Sequence, residues 1–235
     1  MKQPHIQLDE SLNVRYAILP GDPRRAERIA SHMSEVEDLG MNREYRSLVG
    51  AYRGARILVE SALAIKAAVN LPLQGQCEPP GDAKWFTRMK EAGIDALGMH
   101  LEAVTPEVRA RIMPGKAQVS VEQYLEAFAD AVAVFGRGQV STYILAGLGD
   151  TPEAILSLSQ TLIGLGVYPF VVPFVPISGT PLEHHPAPDS RFMSSILQPL
   201  GQMLNQAHLR SSDIKAGCGR CGACSSLSSF EQATA

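Results

Sequence analysis

The sequence predicts an α/β fold, a partial (half) TIM-type parallel β/α barrel preceded by a small α/β fragment, and three observations carry that reading. The stretch Val140 to Glu183 is a strand–loop–helix–strand unit. An apolar run ends in Gly147-Leu148-Gly149, Asp150-Thr151-Pro152 opens a helix, Gly166 stops it, and Tyr168 to Val175 is a second buried strand. Such a unit has its natural setting in a parallel sheet. Strands and helices alternate in the same way back to residue 71, giving four parallel strands where a closed barrel has about six to eight. The residues with unusual chemistry follow the strands, which in an α/β barrel is the ligand face.

In chain order, Val14 to Leu19 reads as a strand and Arg24 to Ser31 as a helix, with Asp22 as N-cap and Pro23 at the first helical position. Free backbone N–H groups at that helix start, beside Arg24 and Arg25, suit an anion, although a capped turn with surface arginines has the same pattern. Asn42 to Tyr52 alternates like a strand and ends in the turn Arg53-Gly54. Ala55 to Val69 has two readings. As a helix it places Ile57, Leu58, Ala62, Ile65 and Val69 on one face; as a strand, its opening ARILVES would pair with residues 45–52. Its length and alanine content favour the helix.

The regular part begins at Leu71 to Gln76, a strand followed by Cys77-Glu78-Pro79-Pro80. A helix follows over Asp82 to Ala92, in which Trp85 and Met89 suit the core. Asp95 to Leu101 is the next strand, ending in His100 and Glu102, and helices follow over Pro106 to Met113 and Val121 to Phe135. After the Val140 and Tyr168 strands comes a last amphipathic helix, Ser190 to His208.

Composition narrows the function classes. An apolar share of 45%, a charged share of 19% and a net charge of −3 over 235 residues describe an ordinary globular α/β chain and give no electrostatic reason to expect nucleic acid or an acidic membrane as partner. The longest apolar run, Tyr168 to Ile177, is short and holds three prolines, and the N-terminus lacks a signal peptide's apolar core, so we expect a cytoplasmic protein acting on a small molecule. Three of the four cysteines lie within seven residues, which argues for metal or redox chemistry rather than a disulfide framework.

Two groups of residues carry chemical interest. At the strand ends, Cys77 and Glu78, His100 and Glu102, Gly147 to Asp150 and Pro176 to Thr180 would line one rim. His100 has a second reading as a core histidine, Glu102 one as the ion-pair partner of Arg109 or Arg111, and His184-His185 reads as a solvated loop pair. The second group is AGCGRCGACSSLS, where Cys218, Cys221 and Cys224 are spaced C-x2-C-x2-C with small residues between them. An iron–sulfur cluster is the first reading of that triplet, zinc the second and free thiols the third. Cys77 would complete a fourth ligand only if the tail folds over the rim.

Residues 1–54, with YAILPGDPRRAERIA and GMNREYRSLVGAYRG, resemble the N-terminus of the bacterial nucleoside phosphorylases of the uridine and purine type. The resemblance implies that Gly21, Arg25 and Arg43 bind phosphate and that His5 reaches a neighbouring subunit's nucleoside. Base-binding and ribose-binding segments of that family do not follow downstream.

From residue 55 onward, LPLQGQCEPP, GIDALGMHLEAVTPEVRARIMPGK, VFGRGQVSTYILAGLGD, GVYPFVVPFVPISGTPLE and AGCGRCGACSSLSSFE resemble the C-terminal half of a radical S-adenosylmethionine (SAM) protein, of the biotin-synthase-like kind found in nitrilase-associated gene clusters. The chain then divides into a phosphorylase-like fragment (1–54), a half barrel of the radical SAM kind (55–210) and a Cys-rich tail (211–235). The resemblance implies a [4Fe-4S] cluster and SAM, with Glu102, Gly147, Gly149 and Asp150 facing SAM and Val175 to Ser178 its adenine side. In that superfamily the cluster reduces SAM to a 5′-deoxyadenosyl radical, and the cysteine triplet that binds the cluster lies in the first half of the barrel. Here the triplet stands in the tail with different spacing, so we expect impaired activity. Four parallel strands also leave two open edges, from which we expect a homodimer.

Overall fold

The structure, a computed structural model, describes residues 34–42, 45–51, 62–63, 65–67 and 70–232, and the chain forms two compact units, Met1–Ile57 and Leu58–Ala235. In the first unit, β1 (Ser34–Asn42) and β2 (Tyr45–Ala51) pair antiparallel, from Asn42 opposite Tyr45 to Ser34 opposite Ala51, with two irregularities in register. The strand expected over 42–52 is therefore present as β2. Its partner is the acidic run SEVEDLGMN, whose composition gives little strand signal, because pairing rather than propensity decides such a strand. The expected Val14 strand, the Arg24 helix and the Arg53-Gly54 turn lie outside the described residues.

In the second unit, residues 62, 63 and 65–67 are helical, as the alanine-rich composition favoured. The buried face differs in part from expectation. Ala62 is buried, whereas Ile65 is 40% exposed. The inward residue beside it is Lys66, which holds Asp95 Oδ2 at 2.6 Å and donates to the Leu71 carbonyl.

The body is a four-stranded parallel sheet in sequence order: β3 (Gln74–Gln76), β4 (Ala96–Gly98), β5 (Val140–Ala146) and β6 (Val167–Pro173). Between the strands run α1 (Lys84–Glu91), α2 (Pro106–Ile112), α3 (Val121–Phe135) and α4 (Pro152–Leu165), and α5 (Ser190–Gln206) follows β6. The first two strands are shorter than their apolar runs suggest, because only three residues of each meet a neighbour in register. β5 and β6 pair along seven residues, Val140 opposite Val167 to Ala146 opposite Pro173.

Local chemistry explains the helix starts. Ser120 and Gln123 form a reciprocal capping box on α3, and Thr151 accepts from the Ala154 N–H on α4, where Pro152 takes the first position. Asp189 caps α5 by accepting from the Phe192 N–H at 2.7 Å. One core joins Leu97, Val140, Ile144, Val167 and Val171 of the strands with Phe86, Phe128, Leu162 and Leu200 of the helices. Each such side chain contributes about 1.5–3 kcal/mol when fully buried. Met89 is in this core, and Trp85 packs partly against it with the Arg88 guanidinium over its ring.

The tail folds back on the same unit as α6 (Cys218–Cys221) and α7 (Leu227–Phe230). Gly219 lies against Tyr168 and Ile214, Gly201 of α5 against Phe230, and the Tyr168 hydroxyl donates to the Glu231 carboxylate. Among the described residues, no helix is long and apolar enough to cross a membrane.

Candidate functional site

Because all four strands are parallel and consecutive, their C-terminal ends stand side by side: Gln76, Gly98, Ala146 and Pro173. A small apolar cluster of Ala103, Val108, Leu148 and Phe174 supports the loops that leave them. On this base the residues singled out from sequence take distinct positions.

Glu102 follows β4 and rejoins the sheet through a bridge to Ile144. Its N–H donates to the Tyr143 carbonyl and its own carbonyl accepts from Leu145, both at 2.8 Å. Its φ of 65° is uncommon outside glycine and costs of order 1–3 kcal/mol unless the surroundings impose it, as these two hydrogen bonds do. The carboxylate meets Lys116 Nζ at 3.2 Å, and the same ammonium lies 3.2 Å from Glu78. The Tyr124 hydroxyl donates to the other oxygen of Glu78, and burial followed by that carboxylate pushes the phenol's pKa up. Lys116 and Tyr124 are site residues that the sequence reading missed. The clue to Lys116 was Pro114-Gly115-Lys116, a turn just after a helix.

The arginines expected as partners of Glu102 are used elsewhere. Arg109 is fully buried, donates to the carbonyls of Leu101, Lys116 and Val119, and lies over the Tyr124 ring. Arg111 donates to the Leu148 carbonyl. Both carboxylate pairings therefore fall to Lys116, which Arg109 positions through the Lys116 carbonyl.

His100 accepts the Tyr143 N–H on Nδ1 at 3.1 Å, and its ring meets Tyr143 edge-on. Burial, then the Lys116 charge, hold its pKa below the ordinary value. Neutral His100 with Nδ1 as acceptor carries its proton on Nε2. Cys77 is half-buried, and its thiol is pushed up to about 12 by burial and the Glu78 charge.

The Gly147 loop is closely packed. Gly147 and Gly149 have φ of 106° and 125°, and a Cβ on them would meet Pro188 Cδ at 2.8 Å and run into Arg111 Nη2. His185 bonds the Gly147 carbonyl through Nε2 at 2.8 Å and packs edge-on against Phe174, so only His184, 93% exposed, fits the solvated pair expected there. Asp150 is buried, with one oxygen accepting from the Val104 N–H and the other from the N–H and hydroxyl of Thr105. Its carboxylate thus ties the Gly147 loop to the start of α2. Val175 and Ser178 lie beyond β6 on the exposed side of the rim, with Val175 65% exposed. Gly21, Arg25 and Arg43, expected as phosphate ligands, lie outside the described residues.

Cys218, Cys221 and Cys224 carry free thiols, the first half-buried and the others exposed. Burial, then the charges of Cys224 and Cys221, raise the Cys218 thiol. Among the described residues, no three of His, Cys, Asp and Glu are disposed to hold one metal ion. A single zinc draws every sulfur to about 2.3 Å from one point. In an iron–sulfur cluster each thiolate holds a different iron. The three thiols are the donor chemistry of an iron–sulfur cluster, and zinc takes the same donors.

A concavity of about 460 Å³ lies between Arg210–Ser212 and Ser228–Gln232, in the tail segments rather than at the strand ends.

Comparison with known proteins adds two separate likenesses. No family model matches. The chain is 31% identical over 117 residues to bacteriochlorophyllide c C-7(1)-hydroxylase of Chlorobaculum limnaeum, covering 49% of this chain and 29% of that protein. It is 28% identical over 135 residues to a probable dual-specificity RNA methyltransferase RlmN of Rhodopirellula baltica, covering 57% and 36%. Over 59 residues it is 41% identical to uridine phosphorylase of Thermococcus kodakarensis, covering 25% and 21%. Coproporphyrinogen III oxidase (HemN) from Escherichia coli, described as a radical SAM enzyme, aligns structurally with a TM-score of 0.49 at 13% identity, over 63% of this chain and 36% of that one. The chain spans about a third or less of the length of the curated relatives it matches. The likenesses to the hydroxylase and to the RNA methyltransferase each cover about half of this chain.

Proposed function

We propose that the Leu58–Ala235 unit is a radical SAM-type iron–sulfur domain that binds SAM along the strand-end rim and whose radical-generating activity is impaired. The observation that carries this reading is the parallel sheet β3-β4-β5-β6, whose consecutive C-terminal ends gather Glu78, His100, Glu102 and the Gly147 loop. An iron–sulfur cluster, when bound, supplies the electron that cleaves SAM. This chain's own residues supply the rest. Lys116 holds the Glu78 and Glu102 carboxylates, and neutral His100 offers an Nε2 proton.

Impairment follows from the cysteine positions. The chain has four cysteines, at 77, 218, 221 and 224, so Cys218-x2-Cys221-x2-Cys224 is its sole triplet. That triplet lies in the tail, where Gly219 packs against Tyr168 of β6. A cluster there is an auxiliary one, because the triplet's position and spacing differ from those of the radical-generating triplet in the superfamily it resembles.

Anaerobic reconstitution with iron and sulfide tests the reading, followed by absorbance near the region of sulfur-to-iron charge transfer and by electron paramagnetic resonance with and without SAM. Expected are a cluster that is lost in Cys218→Ala, SAM binding by calorimetry that weakens in Glu102→Gln, and little or no reductant-dependent 5′-deoxyadenosine. Robust 5′-deoxyadenosine formation overturns the impairment. A cooperatively folded protein with neither cluster nor SAM binding overturns the whole reading and leaves a catalytically silent fusion.

The 41% identity to uridine phosphorylase over 59 residues favours one second reading, a phosphate-binding role for the Gly21, Arg25 and Arg43 motif. Phosphate-dependent release of uracil or hypoxanthine from a nucleoside would establish the full activity, and its absence is the expected result. The homodimer belongs to the same proposal, since among the described residues β3 and β6 each pair on one side only, and a monomer in sedimentation would refute it.

A further inference from the structure

We infer that Cys218 and Cys221 form a redox-active dithiol, oxidised to a disulfide by low-molecular-weight disulfides and thereby withdrawn as metal donors. The disulfide itself stands independently of the iron–sulfur reading; its effect on metal loading rests on that reading.

The argument starts from backbone geometry. Cys218 and Cys221 are the first and last residues of α6, a single helical turn closed by the Cys221 N–H on the Gly217 carbonyl and the Gly222 N–H on the Cys218 carbonyl, both at 2.9 Å. Helical rise and radius put Cα atoms three residues apart at about 5 Å. That lies inside the roughly 4.4–6.8 Å that a disulfide spans. Cys221 and Cys224 have no such regular turn between them, because α6 ends at Cys221 and a separate turn starts at Gly222, whose carbonyl accepts from Ser225.

Exposure sets the order of events. Cys221 is exposed and meets the oxidant first, whereas Cys218 is half-buried and follows. The Cys221 thiolate attacks one sulfur of a small disulfide RSSR, forming a mixed disulfide and expelling RS⁻, which takes up the proton that Cys221 lost. The Cys218 thiolate then attacks the Cys221 sulfur, expelling the second RS⁻, which is protonated in turn. Two protein thiols are oxidised, RSSR is reduced to two RSH, and Cys224 remains a thiol.

The positions of Lys215 and Arg220 make the test direct, because trypsin separates residues 216–220, which hold Cys218, from residues 221–235, which hold Cys221 and Cys224. The full chain, prepared anaerobically without metal, is treated with glutathione disulfide, blocked with iodoacetamide, digested and analysed by mass spectrometry. Expected is a disulfide linking the two peptides, undiminished in Cys224→Ser and lost in Cys221→Ser. A loop within 221–235 with alkylated Cys218, mixed disulfides with glutathione alone, or a link that survives in Cys221→Ser would each overturn it. Iron loading of the same samples separates the two readings. If oxidised protein loads no more iron than Cys218→Ser and dithiothreitol restores loading, both stand. If the link forms but reduced protein takes up no iron, the disulfide stands and the iron–sulfur reading fails.

Discussion

Lys116 Nζ lies 3.2 Å from Glu102 Oε1, and the same nitrogen lies 3.2 Å from Glu78, so one partly buried cation bridges two carboxylates from the ends of adjacent strands. Replacing it leaves the two carboxylates facing each other without a counter-charge. Because both remain partly open to solvent, the stability cost of Lys116→Gln should stay at about 1 kcal/mol or less, measured by urea unfolding. SAM binding by calorimetry should weaken more than stability does, because Glu102 loses the group that orients it. A loss of several kcal/mol with unchanged SAM affinity would make the bridge purely structural.

The same lysine acts on His100. Burial first and the Lys116 charge second hold the imidazole's pKa below its ordinary value, against the opposing charges of Glu102 and Glu78. Between the depressed folded value and the ordinary value near about 6.5, the unfolded chain binds the extra proton. Stability is therefore complete above the ordinary value, falls as pH drops through that window, and levels off below the folded value. Protonation would also turn Nδ1 into a donor aimed at the Tyr143 N–H. In Lys116→Gln the His100 titration, followed by NMR, should move upward. A downward shift would show that the Lys116 charge is not what acts there.

What was legible in the sequence follows from what kind of signal each element carries. The span Val140–Ala146 agrees with its expected strand, and α3 over Val121–Phe135 agrees with its helix, because apolar periodicity and capping residues both mark their ends. β1 left no such mark, since its acidic run becomes a strand only by pairing with β2. At the rim, proximity of strand ends was legible from the alternation of elements, but partners were not. The sequence offered Glu102 two partners, Arg109 and Arg111, and Arg109 is excluded only by the three buried carbonyls it serves. Asp150 read as a ligand-facing acid, and its cradle at Val104 and Thr105, more than forty residues earlier in the chain, leaves no trace in local sequence.

Gly147→Ala should be costly. The backbone there has φ of 106°, and the new Cβ would lie 2.8 Å from Pro188 Cδ, part of a ring that cannot swing aside. Conformational strain alone is of order 1–3 kcal/mol. Thermal unfolding should fall accordingly, and the Val175–Ser178 side of the rim should become more open to proteolysis as His185 loses its bond to the Gly147 carbonyl. An unchanged melting temperature would mean that Pro188 does not pack on this loop.

Asp150→Ala removes an acceptor of three hydrogen bonds, from the Val104 N–H, the Thr105 N–H and the Thr105 hydroxyl. Buried donors left without partners cost about 1–3 kcal/mol each before water enters, so a total of about 2–4 kcal/mol is expected. Asp150→Asn retains one acceptor oxygen and should recover about half of the loss. If Asp150→Asn preserves stability yet abolishes SAM binding, the carboxylate serves the ligand as well as α2.

Glu231 anchors the tail. Its carboxylate is buried and accepts from the Tyr168 hydroxyl and from both the N–H and hydroxyl of Ser211 at 2.9 and 2.8 Å. Burial, then the Glu231 charge, push the Tyr168 phenol's pKa up, so this contact keeps the proton on the tyrosine. Tyr168→Phe leaves Glu231 with its Ser211 donors and should cost about 1–2 kcal/mol. Glu231→Ala strands the Tyr168 hydroxyl and both Ser211 donors, and it also frees the segment that holds Gly219 against Tyr168. The half-buried Cys218 thiol should then alkylate several-fold faster, approaching the rate of exposed Cys221, while Tyr168→Phe shifts it less. Equal alkylation of Cys218 in the parent chain and in Glu231→Ala would show that α6 is held to the sheet by its own packing on Tyr168 and Ile214, independently of the Glu231 anchor.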